Sequence, residues 1–440
     1  MLTDTNQSSD PSHNTIRYTY DRMGHQLTMT RLDGSVIRYG YNALGKKISE
    51  QWIDTGKTHT ITYDYDQDGH LITNSLDGSA IQIQYDLAGD LIQETYPDDQ
   101  VQTNTFDAHG RLLSNQDVNG NTTQYTYDPT TTHLISVKQG DHQISYTYGT
   151  DDNGHKGQVI ATDYQGQYTQ TNKQDALGGV IETTKTDPNN QVILDVQNTF
   201  NTSGMLVSKQ VHSQTVPNDS DVNYTDQYTY DDFNQLIKEE LTSARGTDTT
   251  QYVYDGNGNI RQRSKNGNKT TYTYNNLDQL TTMTDPDGTP SNFKYDANGD
   301  EIKDGHDNTY TYNALSQMVS TLLKNGQAIT YGYYPNGLRA RRALSDHSTL
   351  TYYYTGGDMS AINSSQNKKT SFFMVDGKRL SATQTGSNGA ATQTSNYIND
   401  GKSNVMNVSS SSTGEASSPP KTVLYSAYGQ KDKKLTDQAS

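Results

Sequence analysis

The chain has 440 residues, a formal net charge of −16, no cysteine, and a hydrophobic content of only 30%. The charge argues against nucleic acid or an anionic membrane as partner, since both need a basic face, and the lack of cysteine excludes a disulfide framework while fitting either cytosol or export. No apolar run approaches the ~20 residues of a membrane-spanning helix. Met1–Gln7 lacks the basic and apolar regions of a signal peptide. The expectation is a secreted or cell-surface protein, cytoplasmic before export by a route without a recognisable signal peptide, or a fragment of something longer.

The first predicted element is a strand ending at Tyr20. Ile16, Tyr18 and Tyr20 stand two apart, so an extended chain puts them on one face and Arg17 and Thr19 on the other. Tyrosine and threonine suit a pleated, half-wet surface. Asp21-Arg22-Met23-Gly24 then predicts a turn, in which the carboxylate bonds backbone N–H groups just ahead and Gly24 takes a positive φ. Leu27 lies in a second short strand, and Asp33-Gly34 supplies the next turn. One repeat is therefore a hairpin of two short strands.

The same order recurs along the chain. Tyr39-x-Tyr41-Asn42 runs into Gly45, Tyr63-x-Tyr65-Asp66 into Gly69, and Tyr252-x-Tyr254-Asp255 into Gly258; Tyr125-x-Tyr127-Asp128, Tyr228-x-Tyr230-Asp231, Tyr272-x-Tyr274, Tyr310-x-Tyr312 and Tyr331-x-Tyr333 keep the frame. Eleven Tyr-x-Tyr pairs hold 22 of the 33 tyrosines, and the commonest step between neighbours, degenerate copies included, is 21 residues. A fixed period of this size is the signature of a repeat array. Between 149 and 227 the aromatics fade, and only Asp175-x-x-Gly178 and Phe200-Asn201-x-x-Gly204 keep the frame, with longer loops such as Val216–Asp219. The residues around 384–395 are rich in Thr, Ser, Gly and Asn, and Ser409–Pro420 reads as a flexible loop. The predicted organisation is a disordered lead at 1–15, the array at 16–358, and a distinct segment with a flexible loop and polar tail at 359–440.

The pattern resembles the Rhs/YD-repeat family, named for the tyrosine-aspartate dipeptide in its G-x-x-x-x-x-Y-x-Y-D-x-x-G-R-L consensus. Gly110-Arg111-Leu112 after Phe106-Asp107 is close to it, as is Tyr252-x-Tyr254-Asp255-x-x-Gly258-x-Ile260. Phe373–Leu380 is similar to the start of the Rhs-associated core segment, with Asn399–Val405 and Tyr425–Gly429 where its later elements fall. That resemblance implies a hollow β-sheet shell, as in bacterial polymorphic toxins, insecticidal toxin-complex subunits and the animal teneurins, often around a fused toxin. Members that release a toxin carry an aspartate-dependent cleavage segment ending in D-P-x-G. The nearest string here, Asp285-Pro286-Asp287-Gly288, lies inside the array and reads as a turn, so self-cleavage is not supported.

Side chains that carry chemistry are scattered. Asp64-x-Asp66-x-Asp68-Gly69 opens like a calcium loop, but the position of its final glutamate is Ser75, so a repeat turn is favoured. His25 and His70 follow turn glycines and His109 precedes one, as exposed turn positions would. Asp98-Asp99 and Glu239-Glu240 alternate faces if they lie in strands, so neither forms an obvious acid/base couple. Arg339, Arg341 and Arg342 read as a charged strand face. No catalytic residue, cofactor or metal site is expected, and the tyrosines, aspartates and glycines named above are expected to be structural repeat anchors.

The expected fold is all-β, a repetitive antiparallel β-hairpin array forming a spiral sheet, as a partial shell or open barrel. About 32 strands at ~4.8 Å give a sheet roughly 150 Å across, about one spiral turn of wall with open edges. The favoured function is a non-catalytic scaffold, part of a toxin-encapsulating or toxin-delivering shell, with polypeptide partners. The alternative is a surface module recognising carbohydrate through exposed tyrosines. Packed aromatics separate the first from the second.

Overall fold

Tyr, Thr and Val at period two, interrupted every six to nine residues by Asp/Asn and Gly, leave the chain one regular option, the short antiparallel strand. The computed structural model describes residues 15–150, 154, 156–164, 168–213, 223–375 and 377–386, with the strand backbone of Thr3–Thr5, Ala391–Asn399, Val405–Ser412 and Ser418–Thr422. Among the described residues there is no helix. Strands pair with their neighbours in sequence: Thr15–Tyr20 with Gln26–Thr30, that strand with Val36–Tyr41, and so on in a meander. Thr3–Thr5 pairs with Thr15–Tyr20, and the rest of the N-terminal lead lies outside the described residues.

Pairing runs through residue 358 without a break, since Thr349–Thr355 pairs with Asp358–Ser364. Ser409–Ser412, expected in a loop, continue the strand Val405–Ser412 and pair with Ala391–Asn399. Ladder hydrogen bonds come from the backbone and do not depend on the serine side chains. Tyr425–Gly429, the polar tail and the loop Val216–Asp219 lie outside the described residues.

The two turns of each hairpin differ. One row of turns follows the Tyr-x-Tyr strands; the other follows the return strands. At the first row the ladder slips by one residue at the second aromatic: Thr19 faces Thr28, but Tyr20 faces Gln26. The slip recurs at Tyr41, Tyr65, Tyr85, Tyr230, Tyr254, Tyr312 and Tyr333. The slip is a bulge just beyond the turn, with Leu27 the extra residue opposite Tyr20, and the second-row turn Arg31–Ser35 lacks it. The turn itself, like Arg31–Ser35, is a type I turn closed by a residue in the left-handed region. Gly258, at φ 89°, fills that position without strain, and Asn234, at φ 63°, shows that asparagine substitutes.

The described chain forms two compact units. Unit one contains residues up to Leu112, Gln116–Asn119 and Thr271–Lys369; unit two contains Leu113–Asn115, Gly120–Thr270 and the residues from Thr370 onward. Unit one thus joins an early and a late stretch of array, and their turn rows face each other. The second-row turn Arg31–Ser35 meets first-row turns of the late stretch. Arg31 donates to the carbonyl of Ala314 and to Ser316 Oγ and lies 3.7 Å from Asp300. Asp33 accepts from Asn298 Nδ2 at 2.8 Å. Further along, Tyr96 donates to the carbonyl of Tyr354 at 2.8 Å, and Tyr353 donates to Asp98.

Most of the apolar core of unit one lies on this seam. Ile37, Trp52 and Ile61 close over Ala314, with Leu315 alongside; Ile81, Tyr96 and Val118 pack with Tyr334, Tyr353 and Ala361. Tyr96 meets Tyr334 and Tyr353 at ring separations of 5.2 and 5.1 Å, within the range of favourable aromatic pairs. Unit two has its own cluster of Val137, Ile144, Phe373 and Val375, in which Phe373 and Val375 stand two apart like a tyrosine pair.

Arg31 is the test of the seam, because it is buried and its guanidinium holds three groups at once. Arg31→Ala leaves those partners unmatched and is expected to destabilise unit one by about 2–3 kcal/mol, with Arg31→Lys recovering only part. Urea unfolding followed by fluorescence of Trp52, the one tryptophan of the sequence, measures it. Unchanged stability in Arg31→Ala would show that the turn rows do not bear on each other.

Candidate functional site

The repeating element is the first-row turn, and its geometry starts from one side-chain oxygen. Asp21 Oδ1 accepts the N–H groups of Met23 and His25, at 2.8 and 2.9 Å. The backbone closes around it, with Asp21 N–H to the carbonyl of His25 and Gly24 N–H to the carbonyl of Asp21. The same double acceptance occurs at Asn42, Asp86, Asp107, Asp231, Asp255, Asn275, Asp296 and Asn313. The degenerate copies obey it too, at Asp175 and Asn201. Asp128 departs slightly: its turn is one residue longer and it accepts from Thr130 and Thr131. Asp285–Gly288 closes as a turn of the other row.

The second tyrosine of each pair reaches back to the preceding repeat. Tyr65 donates to the carbonyl of Lys47, Tyr85 to Leu71, Tyr148 to Leu134, Tyr230 to Leu206 and Tyr254 to Leu236, at 2.6 to 3.2 Å. Tyr312, Tyr333 and Tyr354 do the same to Glu301, Met318 and Arg339. In each case the acceptor is the residue that leaves the previous first-row turn. Tyr20 is 40% exposed, at the start of the described array. Tyr18, Tyr39, Tyr41, Tyr63, Tyr125, Tyr127, Tyr228, Tyr272, Tyr274, Tyr310 and Tyr331 are half-buried, and Tyr252 is buried. The rings are packed rather than presented.

The residue after the turn glycine has a role that the sequence did not suggest. His25 and His70 are not simply exposed: each is part-buried, bonds the carboxylate of its own turn (Asp21 or Asp66), and lies against the tyrosine of the next repeat. The ring separations are 4.9 Å to Tyr41 and 4.8 Å to Tyr85. Lys46 takes the position between them and lies over Tyr65 at 5.0 Å. Arg111 holds Asp107 at 2.6 Å, and its guanidinium pulls that carboxyl down to about 2. His109 is exposed, as expected.

Asp66, Asp68 and His70 offer ligand atoms within 4.8 Å of one another. Asp64 is not among them, and Asp66 is engaged by the turn N–H and the His70 ring, so the group reads as a repeat turn. Arg339 and Arg341 are exposed on one strand face, and Arg339 lies 4.8 Å over Tyr331. Glu239 and Glu240 do alternate, yet Glu239 is buried and meets Asp226 from the neighbouring strand. Tyr228 donates to Asp226 at 2.7 Å and Tyr252 to Glu239 at 3.3 Å. Burial and the Glu239 charge push Asp226 up from the carboxylate range towards neutrality, against the pull of Lys209.

A meander of short strands with Asp/Asn turns, stepped bulges and tyrosines bonded backwards defines a YD-repeat sheet. The profile of the Teneurin YD-shell family matches residues 159–388, just over half of the chain, and the chain belongs to that family. Among solved structures, it is similar to TcdB2-TccC3-Cdc42, with a TM-score of 0.61 and 14% identity over 93% of this chain and 26% of that one. It is also similar to TcdB2-TccC3 without its hypervariable C-terminal region, with a TM-score of 0.60, 13% identity, and 94% and 28% coverage. A Tc holotoxin pore of Photorhabdus luminescens matches with a TM-score of 0.54, 14% identity, and 93% and 26% coverage. The chain therefore spans about a quarter of the length of these solved chains.

Two measurements follow from the site. Tyr254→Phe, which removes the hydroxyl and its bond to the Leu236 carbonyl, is expected to cost about 0.5–1.5 kcal/mol, and Tyr254→Ala roughly 2–3, below the ~3–5 of a fully buried ring. A neutral Tyr254→Phe in urea unfolding would show that the hydroxyl holds nothing. The second concerns pH. The neutral form of Asp226 is favoured in the fold, so its contribution is present below the ordinary carboxylate range and is lost as pH rises through the raised value. Unit two is expected to melt higher near about pH 4 than near about pH 8, once the opposite trend of the low-titrating turn aspartates has been subtracted. Subtracting the pH profile of Asp226→Asn from that of the parent isolates the effect, and identical profiles would contradict it.

Proposed function

We propose that this chain is a non-catalytic wall segment of a toxin-encapsulating or toxin-delivering shell, with polypeptides as its partners: the rest of the wall, or a subunit that completes it, and an unfolded toxin as cargo. The observation that carries this is the seam of unit one, where turn rows from repeats some 250–285 residues apart pack on each other through Arg31, Asp33 and Tyr96. Strands of six or so residues cannot bury a conventional core between them. Stacked turn rows give such a sheet an apolar seam and extend it as a wall.

The polar balance supports the same reading. The −16 charge favours solubility of a large sheet and disfavours an anionic partner. Tyrosine hydroxyls are spent on backbone carbonyls and rings on their neighbours, which is scaffold use of tyrosine. Among the described residues no helix is long and apolar enough to cross a membrane. One of the solved structures named above is a Tc holotoxin pore, which supports release from the cell as part of a toxin assembly.

Co-expression of the chain with its flanking segments and cargo, followed by limited proteolysis, tests the proposal. Cargo is expected to survive protease concentrations that digest it when free, and the chain to keep its mass with no self-generated fragment. Cargo digested at the free rate, or binding of a polysaccharide with no stable polypeptide complex, would overturn it.

A further inference from the structure

In unit two the strand Tyr224–Tyr230 lies between Leu206–Ser213 and Leu236–Ser243, and its less exposed face brings two carboxylates together. Asp226 stands opposite Lys209 on one side, and Tyr228 stands opposite Glu239 on the other. Asp226 is 3% exposed and Glu239 5%, so both carboxylates are taken out of water. Asp226 Oδ2 accepts from Tyr228 and Glu239 Oε2 from Tyr252, but Asp226 Oδ1 is buried with no donor. Two ionised carboxylates at this depth repel each other and lose hydration. A proton on Oδ1 removes one of the charges. It also turns an orphaned acceptor into a donor to Glu239, which lies within hydrogen-bonding reach.

The other charges around the pair do not replace that proton. Lys209 supplies one ammonium for two carboxylates. Beyond Glu239, the strand Gly246–Tyr254 presents Tyr252 and Asp248 on the same face, and Asp248 is paired with Lys265 at 3.4 Å. Tyr224 and Tyr228 flank Asp226 on its own strand, and burial keeps the Tyr228 hydroxyl protonated. His212, Lys238 and Glu240 lie on the opposite face, where Lys238 and Glu240 pair with each other at 2.8 Å.

We propose that the Asp226–Glu239 pair is a proton-operated latch between the strands Tyr224–Tyr230 and Leu236–Ser243: with one proton the strands stay zipped, and without it this is where the sheet of unit two opens first. The inference concerns the sheet itself and stands whatever the wall encloses. The opening is local because little else holds these strands. The apolar cluster beside the pair, Leu194, Val196 and Val211 with Tyr224, draws on three successive strands, whereas Val137 and Ile144 are clamped by Phe373 and Val375 from a distant one. A cavity of about 480 Å³ lies at the ends of the same strands, against Val211, Tyr224, Thr225 and Thr242. Segments with few buried apolar contacts open below the global free energy. Burial and the Glu239 charge push the Asp226 carboxyl up to about 7. The proton's contribution is therefore complete below the ordinary carboxylate range and is gone once pH has risen through that value.

Amide hydrogen exchange on the full chain between about pH 5 and about pH 8 tests the latch, read as protection factors so that the intrinsic pH dependence divides out. Protection of the amides of residues 226–229 and 238–241 is expected to fall by up to about tenfold per pH unit as far as about pH 7, and to level off above it. In Asp226→Asn, whose amide donates to Glu239 without titrating, protection is expected to stay level, and Glu239→Gln is expected to do the same. Glu240→Gln, on the opposite face, is expected to follow the parent. No fall in the parent, the same fall in Asp226→Asn, or a level profile in Glu240→Gln would overturn the proposal. So would an equal fall at Val137 and Ile144, because the pair would then set the stability of unit two as a whole and control no local opening.

Discussion

An aspartate or asparagine oxygen that accepts two backbone N–H groups closes the first-row turn, and the rest of the fold depends on that closure. The left-handed residue falls at the third position after it, and the closure goes with a bulge just beyond the turn, at Leu27 opposite Tyr20, that steps the ladder by one residue. The step in turn places the carbonyl of the residue leaving the turn where the tyrosine of the next repeat can reach it, as Tyr254 reaches Leu236. Spacing in sequence thus becomes spacing in the wall. A carboxylate satisfied by donors also titrates low: Asp21 through the His25 ring first and backbone N–H groups after it, and Asp255, against the effect of burial, through the N–H of Asn259.

The turn also directs the third side chain outwards, and this lets so polar a chain bury apolar surface. Each sheet is one layer thick, and cross-strand pairs alone supply only fractions of a kcal/mol to about 1 kcal/mol each. The larger contribution in unit one comes where turn tips of one stretch meet the turns of another and exclude water from Trp52, Ile61 and Tyr353. Arg31 and Asp33 satisfy turn carbonyls and amides that the same contact would otherwise strand. Apolar and polar contacts alternate along the seam, which keeps an arrangement of nearly identical turns in one register.

Strands, turns and repeat anchors were legible because their causes are local. Period two, Asp/Asn and Gly at fixed offsets, and recurring tyrosines all act within about ten residues of one another. The degenerate region showed the same logic: Asp175 and Asn201 close their turns although their aromatics have faded. What escaped detection depends on distant partners. Nothing near Arg31 announces a buried guanidinium, and Trp52 could have sat on either face. Asn42-Ala43-Leu44 and Asn313-Ala314-Leu315 are the same string with different surroundings, so no local rule separates them. The Asp226–Glu239 pair was missed because carboxylates were compared along single strands and not across neighbouring ones. The stacking of His25 on Tyr41 was discoverable, since the residue after the turn glycine recurs as His, Lys or Arg one repeat before a tyrosine.

Amide hydrogen exchange on the full chain tests the stacked-turn account most directly, with the two Asn-Ala-Leu turns as an internal comparison of equal intrinsic rate. The account predicts that Ala314 and Leu315 exchange at least about tenfold more slowly than Ala43 and Leu44, because only the former lie under a facing turn row. Equal exchange at the two turns would mean that the rows do not stack in solution, and the seam and the wall would both fall with it.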